Sequence, residues 1–148
     1  MKLINRVIKW GKKNILYFAW VAALAATLGS LYASEYLRWI PCNLCWYQRI
    51  LVYPLGLIIP VGILLKDKNL PYYVIPLTVL GMGISLYQHL LQVGIIPEQL
   101  APCSFGISCA TKYFDLYNFI TLPFLSFLAF AFIAVCMVIF ARKEEKKL

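Results

Sequence analysis

Charge is scarce in this chain. Only 14% of its 148 residues are Asp, Glu, Lys or Arg, the acids number six, and there is a single histidine. A soluble domain carries about 25% charged residues, so the polar surface that water requires is missing. Also missing are a P-loop, a G-x-G-x-x-G, an H-E-x-x-H and a G-x-S-x-G. Phosphate-binding, dinucleotide-binding and hydrolase readings therefore have no support. No internal repeat, low-complexity tract or linker marks a second domain. The shortage of acids leaves a net charge of +8. A basic balance can point to nucleic acid. Here the basic residues gather at the ends of apolar segments, which is the pattern of membrane orientation, and no nucleic-acid partner is expected.

What the chain has is apolar length. Hydrophobic residues make up 62% of it, and its mean hydropathy is +0.76. Ile15 to Ser34 carries no charge, and Trp46 to Leu65 is interrupted only by Gln48 and Arg49. Asn69 to Pro97 has His89 as its one titratable cation, and Leu116 to Ala141 carries no charge. A helix needs roughly 20 apolar residues to cross a bilayer core. Four spans are expected, at about 15–36, 46–65, 71–95 and 117–140, forming one four-helix membrane domain over residues 1–148. Pro54, Pro60, Pro76 and Pro123 are tolerated in packed membrane helices, where they bend the backbone.

Positive charges set the expected orientation. Eleven of the fourteen fall before span one, between spans two and three, or after span four; Arg38, Arg49 and Lys112 are the remainder. By the positive-inside rule both termini are cytoplasmic. Two short loops, at about 37–45 and 96–116, then face outward. Trp39, Trp46, Tyr47, Tyr113 and Tyr117 flank that outer boundary as an aromatic belt would. A cleaved signal peptide is the rival reading of the start, but the apolar run is long for one and no clean A-x-A site follows.

Both outer loops hold a cysteine pair, Cys42/Cys45 and Cys103/Cys109. Outside the cytoplasm disulfides persist. Cys42-Asn43-Leu44-Cys45 is a C-x-x-C, a spacing typical of exchangeable disulfides. A helix N-terminus near Cys45 favours thiolate, and Arg49 lies one turn further along the same face. A structural staple and a four-thiolate zinc site remain as alternatives. Trp46, rather than His, follows Cys45, so covalent haem has no support. Cys103 and Cys109 read as an accessible loop disulfide, suited to a large soluble thiol protein. Cys136 reads as a packing residue deep in span four.

Electrons taken from thiols need an acceptor. A lipid-soluble quinone reaching Cys45 from the bilayer fits, with Arg49 polarising a quinone oxygen. His89 lies at a comparable depth in span three. Intramembrane ionisable groups are functional candidates, so it is either a quinone-pocket or proton-handling residue, or a ring hydrogen-bonded within the bundle. Gln88 is expected to point elsewhere on that helix. Glu35, Glu98 and Asp115 are expected to be solvated, and Arg38 to sit among the headgroups.

Pro41-Cys42-Asn43-Leu44-Cys45-Trp46-Tyr47-Gln48-Arg49 resembles the signature of the bacterial disulfide-bond formation protein B family, DsbB, called BdbC in Gram-positive bacteria. Tyr87-Gln88-His89-Leu90-Leu91-Gln92 is similar to that family's third span. The resemblance covers nearly the whole chain. It implies an enzyme of the bacterial inner membrane that reoxidises a secreted or tethered thioredoxin-like protein. The electrons pass to membrane quinone, ubiquinone or menaquinone. It further implies that Cys103 forms the mixed disulfide with the partner and that Cys109 exchanges with Cys42. Cys45 would then engage the quinone beside Arg49, with His89 in the pocket. The chain departs from the better-known members in its shorter outer loop, with cysteines six positions apart. That shorter form matches the BdbC-like branch. Redox direction is not legible, because about 30 mV corresponds to only ~1.4 kcal/mol for two electrons. A reductase of the same architecture and a metal-binding or scaffolding membrane protein are the alternatives.

Overall fold

The computed structural model describes residues 14–97, 99, 108–109, 115–116 and 120–145. Cys103, Glu98, Lys112, Tyr113, Tyr117, Lys146, Lys147 and the basic residues before Asn14 lie outside the described residues. The described helices are α1 (Ile15–Glu35), α2 (Asn43–Leu64), α3 (Leu70–Val93) and α4 (Leu122–Glu145). All four are long and apolar enough to cross a membrane. Between α3 and α4, β1 (Asp115–Leu116) pairs antiparallel with β2 (Ile120–Thr121), Asp115 opposite Thr121 and Leu116 opposite Ile120. Each helix packs on two neighbours. α1 lies against α2 and α4, and α3 lies against the same two from the other side, with little contact between α2 and α4. The molecule is a four-helix membrane bundle.

Its exterior is apolar. Val21, Leu28, Leu57, Leu64, Val79 and Val135 are all exposed. In water such a surface would drive association, whereas lipid is as apolar as the side chains themselves. The interior holds Ala19, Ala23, Val52, Leu55, Ile59, Leu70, Val74, Phe130, Ile133, Cys136 and Met137 in one cluster. Small residues admit close approach between helices. A Cβ built on Gly81 of α3 would lie 2.5 Å from the ring of Phe130 of α4. One built on Gly62 would lie 2.6 Å from the side chain of Leu70.

Helix ends differ from the sequence expectation for local reasons. α2 starts at Asn43, not near 46, because Cys42 acts as its N-cap: it is extended, and its sulfur accepts the Cys45 N–H at 3.4 Å. α3 stops at Val93 because Gly94 takes a left-handed φ of 86°. There Gly94 N–H bonds Leu91 O at 3.2 Å and Ile95 N–H bonds Leu90 O at 3.1 Å, a Schellman closure that glycine suits. α4 starts at Leu122, not near 117, because residues 120–121 are engaged in the β pairing. Pro123 fits its first turn, where no N–H is needed. Arg142 and Lys143 in its last turn oppose the negative helix end.

Pro60 removes the N–H that would have bonded Gly56 O inside α2. The carbonyl is met from outside, by Trp20 Nε1 of α1 at 3.2 Å. A proline defect in one helix thereby becomes a polar tie to its neighbour. In the α2–α3 turn, Asp67 accepts hydrogen bonds from the Tyr73 hydroxyl and from Asn69 N–H. Those two donors, Tyr73 first, hold the Asp67 carboxyl below the usual carboxylate range.

Candidate functional site

The N-terminal end of α2 and the C-terminal end of α3 are antiparallel neighbours, so they meet at one end of the bundle. Cys42 and Cys45 stand there with sulfurs 2.9 Å apart, both as free thiols. The extended N-cap residue and the first helical turn bring side chains three positions apart onto one face. Cys42 is buried and Cys45 is partly exposed. The Cys42 thiol is pushed well above its ordinary range, first by its hydrogen bond to Cys45 and then by burial.

Two glutamines complete this cluster. Gln88 Nε2 of α3 lies 3.2 Å from the Cys42 sulfur and 3.2 Å from the Cys45 sulfur. Its Oε1 accepts from Gln48 Nε2 of α2 at 2.6 Å. Both glutamines are buried. Gln88 points away from its neighbour His89, and the structure aims it at the thiols, a target that the sequence alone does not assign; nor does it assign Gln48 a role. One signal was present. A glutamine inside a span must find a polar partner, and Gln48 lies three positions from Cys45 on the same helix face.

Arg49 follows one turn below Cys45. Its guanidinium donates to Ser30 O of α1 at 3.1 Å and lies 5.4 Å from the centroid of the Trp46 ring. His89 faces the opposite seam. Its Nδ1 is 3.0 Å from Thr121 Oγ1, and its ring centroid is 5.3 Å from that of Phe124. It borders a cavity of about 280 Å³ between α3 and α4, otherwise lined by Leu86, Leu90, Val93, Ile95, Phe124 and Phe127. The structure thus groups Cys42, Cys45 and Arg49 along α2 and sets His89 apart from Arg49. Cys109 is buried and disulfide-bonded, and it packs in one cluster with Cys42, Leu44 and Leu91. Cys136 is a free thiol in the main core.

Residues 12–141 match the family described as disulfide bond formation protein DsbB. The chain belongs to the DsbB family. Within it, the chain is 44% identical over 142 residues to disulfide bond formation protein C of Bacillus subtilis, covering 96% of this chain and 97% of that protein. It is 39% identical over 140 residues to a probable disulfide formation protein C 2 of Bacillus cereus, covering 95% of this chain and 100% of that protein. It is also 39% identical over 149 residues to a probable disulfide formation protein of Coxiella burnetii, covering 99% of this chain and 98% of that protein. No solved structure matches it. A DsbB-family chain has a part in disulfide bond formation, which makes it an oxidoreductase. Its four spans make it a multi-pass membrane protein.

Proposed function

We propose that this DsbB-family chain is a membrane thiol oxidase. It reoxidises an extracytoplasmic thioredoxin-like protein and passes two electrons to membrane quinone. The observation that carries the reading is the free Cys42/Cys45 pair, at 2.9 Å, packed in one cluster with a cysteine already in a disulfide. A dithiol and a disulfide in contact are the two halves of an exchange reaction. The enrichment of positive charge at the other end of the spans supports the reading of this end as extracytoplasmic, in a bacterial inner membrane.

In the proposed order, a partner thiolate attacks Cys103 of a Cys103–Cys109 disulfide. A bond to Cys103 forms, and Cys109 leaves with the electron pair. The partner's second thiolate then breaks the mixed disulfide, and the partner departs oxidised. Cys109 attacks Cys42 of a Cys42–Cys45 disulfide, and Cys45 leaves as thiolate. Cys103 thiolate then attacks Cys109, restoring the loop disulfide and releasing Cys42.

Cys45 and Arg49 suit a quinone. Cys45 is a partly exposed residue, Trp46 is half exposed, and the Arg49 guanidinium lies one turn further along α2, 5.4 Å from the Trp46 ring centroid. Bound there, a quinone supplies the two-electron acceptor. Arg49 would hold a carbonyl oxygen and its developing negative charge. His89 borders a separate apolar cavity between α3 and α4, and its proposed quinone role is there, apart from the position beside Cys45 and Arg49.

The test follows quinone absorbance while the purified protein in detergent receives a reduced thioredoxin-like partner. Loss of quinone that disappears in Cys45→Ala is the expected result. Quinone that stays oxidised with several partners and quinones overturns the electron route, and the reductase and metal-binding readings then move ahead.

A further inference from the structure

Gln88 sits in the interior of a membrane-spanning helix with 1% of its surface exposed. An amide there must satisfy one acceptor and two N–H donors. Gln48 Nε2 donates to that acceptor at 2.6 Å, which suits an amide turned with its oxygen toward Gln48. Its nitrogen then faces the Cys42 and Cys45 sulfurs, 3.2 Å from each. Neutral thiol sulfur is a weak acceptor, so a thiol repays those two N–H groups poorly. A thiolate repays them well, because hydrogen bonds to an ionised acceptor are roughly twice as strong as neutral ones. Arg49, the cation on the helix of Cys45, donates an N–H to Ser30 O. The amide also brings no charge of its own into a span, where a buried ion is costly.

We propose that Gln88 is a catalytic residue of the thiol chemistry, with Gln48 as its positioning residue: the Gln88 N–H groups hold the negative charge on the sulfur that leaves when the Cys42–Cys45 disulfide is cleaved. The proposal rests on the reading of that pair as redox-active. In the step concerned, an incoming thiolate attacks Cys42. A sulfur–sulfur bond to Cys42 forms, the Cys42–Cys45 bond breaks, and Cys45 departs with the electron pair. Charge passes from attacker to Cys45 and no proton moves. Gln88 spans both sulfurs, so it meets the charge on Cys45 in this step and on Cys42 when that thiolate is released.

The experiment uses the full chain in lipid nanodiscs, as wild type, Gln88→Met and Gln48→Met. Two quantities are read at neutral pH. One is the rate at which iodoacetamide alkylates Cys45 relative to Cys42, by peptide mass spectrometry. The other is the equilibrium constant of the pair with glutathione. Gln88→Met keeps the length of the side chain and removes its donors. It should slow Cys45 alkylation about tenfold, the scale of one hydrogen bond to a charged group. It should also move the equilibrium about tenfold toward the disulfide, about 30 mV, because the reduced form loses its stabilised thiolate. Gln48→Met should move both quantities the same way by less, since Gln88 stays but is no longer locked. Packing alone would change the melting temperature and leave the alkylation ratio in place. If Gln88→Met fails to fold, the ratio in Gln48→Met decides. Ratios and equilibria within about twofold of wild type in the folded variants overturn the proposal. A wild-type pair that does not exchange with glutathione and alkylates no faster than buried Cys136 overturns the redox reading itself, which is a different result.

Discussion

One sulfur in this molecule has two duties. Cys42 caps α2 through the Cys45 N–H, and it also hydrogen-bonds the Cys45 thiol. The local backbone therefore holds Cys42 as a buried residue and leaves Cys45 partly exposed. Cys103→Ser should stop oxidation of the thioredoxin-like partner while Cys42/Cys45 remains oxidisable by quinone. Continued partner oxidation in that variant would remove Cys103 from the route. Arg49→Ala should weaken apparent quinone affinity by about tenfold, the scale of a lost 1.4 kcal/mol, with a smaller effect on melting. An unchanged affinity would remove Arg49 from the site. The C-x-x-C and Arg49 were legible in the sequence because their relation is local: three and four positions on one helix. Gln88 was not, because its partners Cys42 and Cys45 lie more than forty positions away. The rotation of α3 against α2 is set by packing, which hydropathy does not encode. The same holds for His89, whose partners Thr121 and Phe124 come from beyond the outer loop.

At the scale of the helix, the proline positions carry the most testable energetics. Trp20→Phe leaves Gly56 O without its donor, because Pro60 has none to give. An unsatisfied buried carbonyl costs about 1–3 kcal/mol, while interhelical hydrogen bonds in bilayers average only about 0.6 kcal/mol. A loss toward the larger figure is expected for Trp20→Phe. Trp20→Phe combined with Pro60→Ala should recover part of it, since residue 60 can then bond Gly56 O within the helix. Additive effects in a double-mutant cycle would show that the tie is not as described. The turn between α2 and α3 offers a pH signature. The folded Asp67 carboxyl lies below its ordinary range, so its contribution is present at neutral pH. That contribution fades as pH falls through the carboxylate range. Asp67→Asn should lower the melting temperature slightly at neutral pH, and the difference from wild type should shrink in acid. Helix ends were legible to within a few residues. Where they moved, the cause was a cap at Cys42, a left-handed Gly94 or the small β pairing before α4, each a single-residue or loop effect that a hydropathy run does not register.

For the whole molecule, stability depends on how closely four apolar rods approach, since lipid offers no hydrophobic drive between them. The α3–α4 seam is the sharpest case. Gly81→Ala would place a Cβ 2.5 Å from the ring of Phe130, which is itself buried in the core. Overpacking of this kind costs about 1–3 kcal/mol. Gly81→Ala should lower thermal stability, and adding Phe130→Leu should restore part of it; a neutral Gly81→Ala would mean that the seam yields freely. The four-span architecture was the most legible property of all, because length and hydropathy alone decide it. The Trp20–Gly56–Pro60 tie also bears on inheritance. Once Pro60 is present, the indole at position 20 fills a need that its own helix does not create. In lineages that replace the proline, position 20 is released to drift. In those that keep it, loss of the indole exposes a carbonyl to hydrocarbon. The two positions should therefore change together across descendants of this sequence, although they stand forty residues apart on different helices.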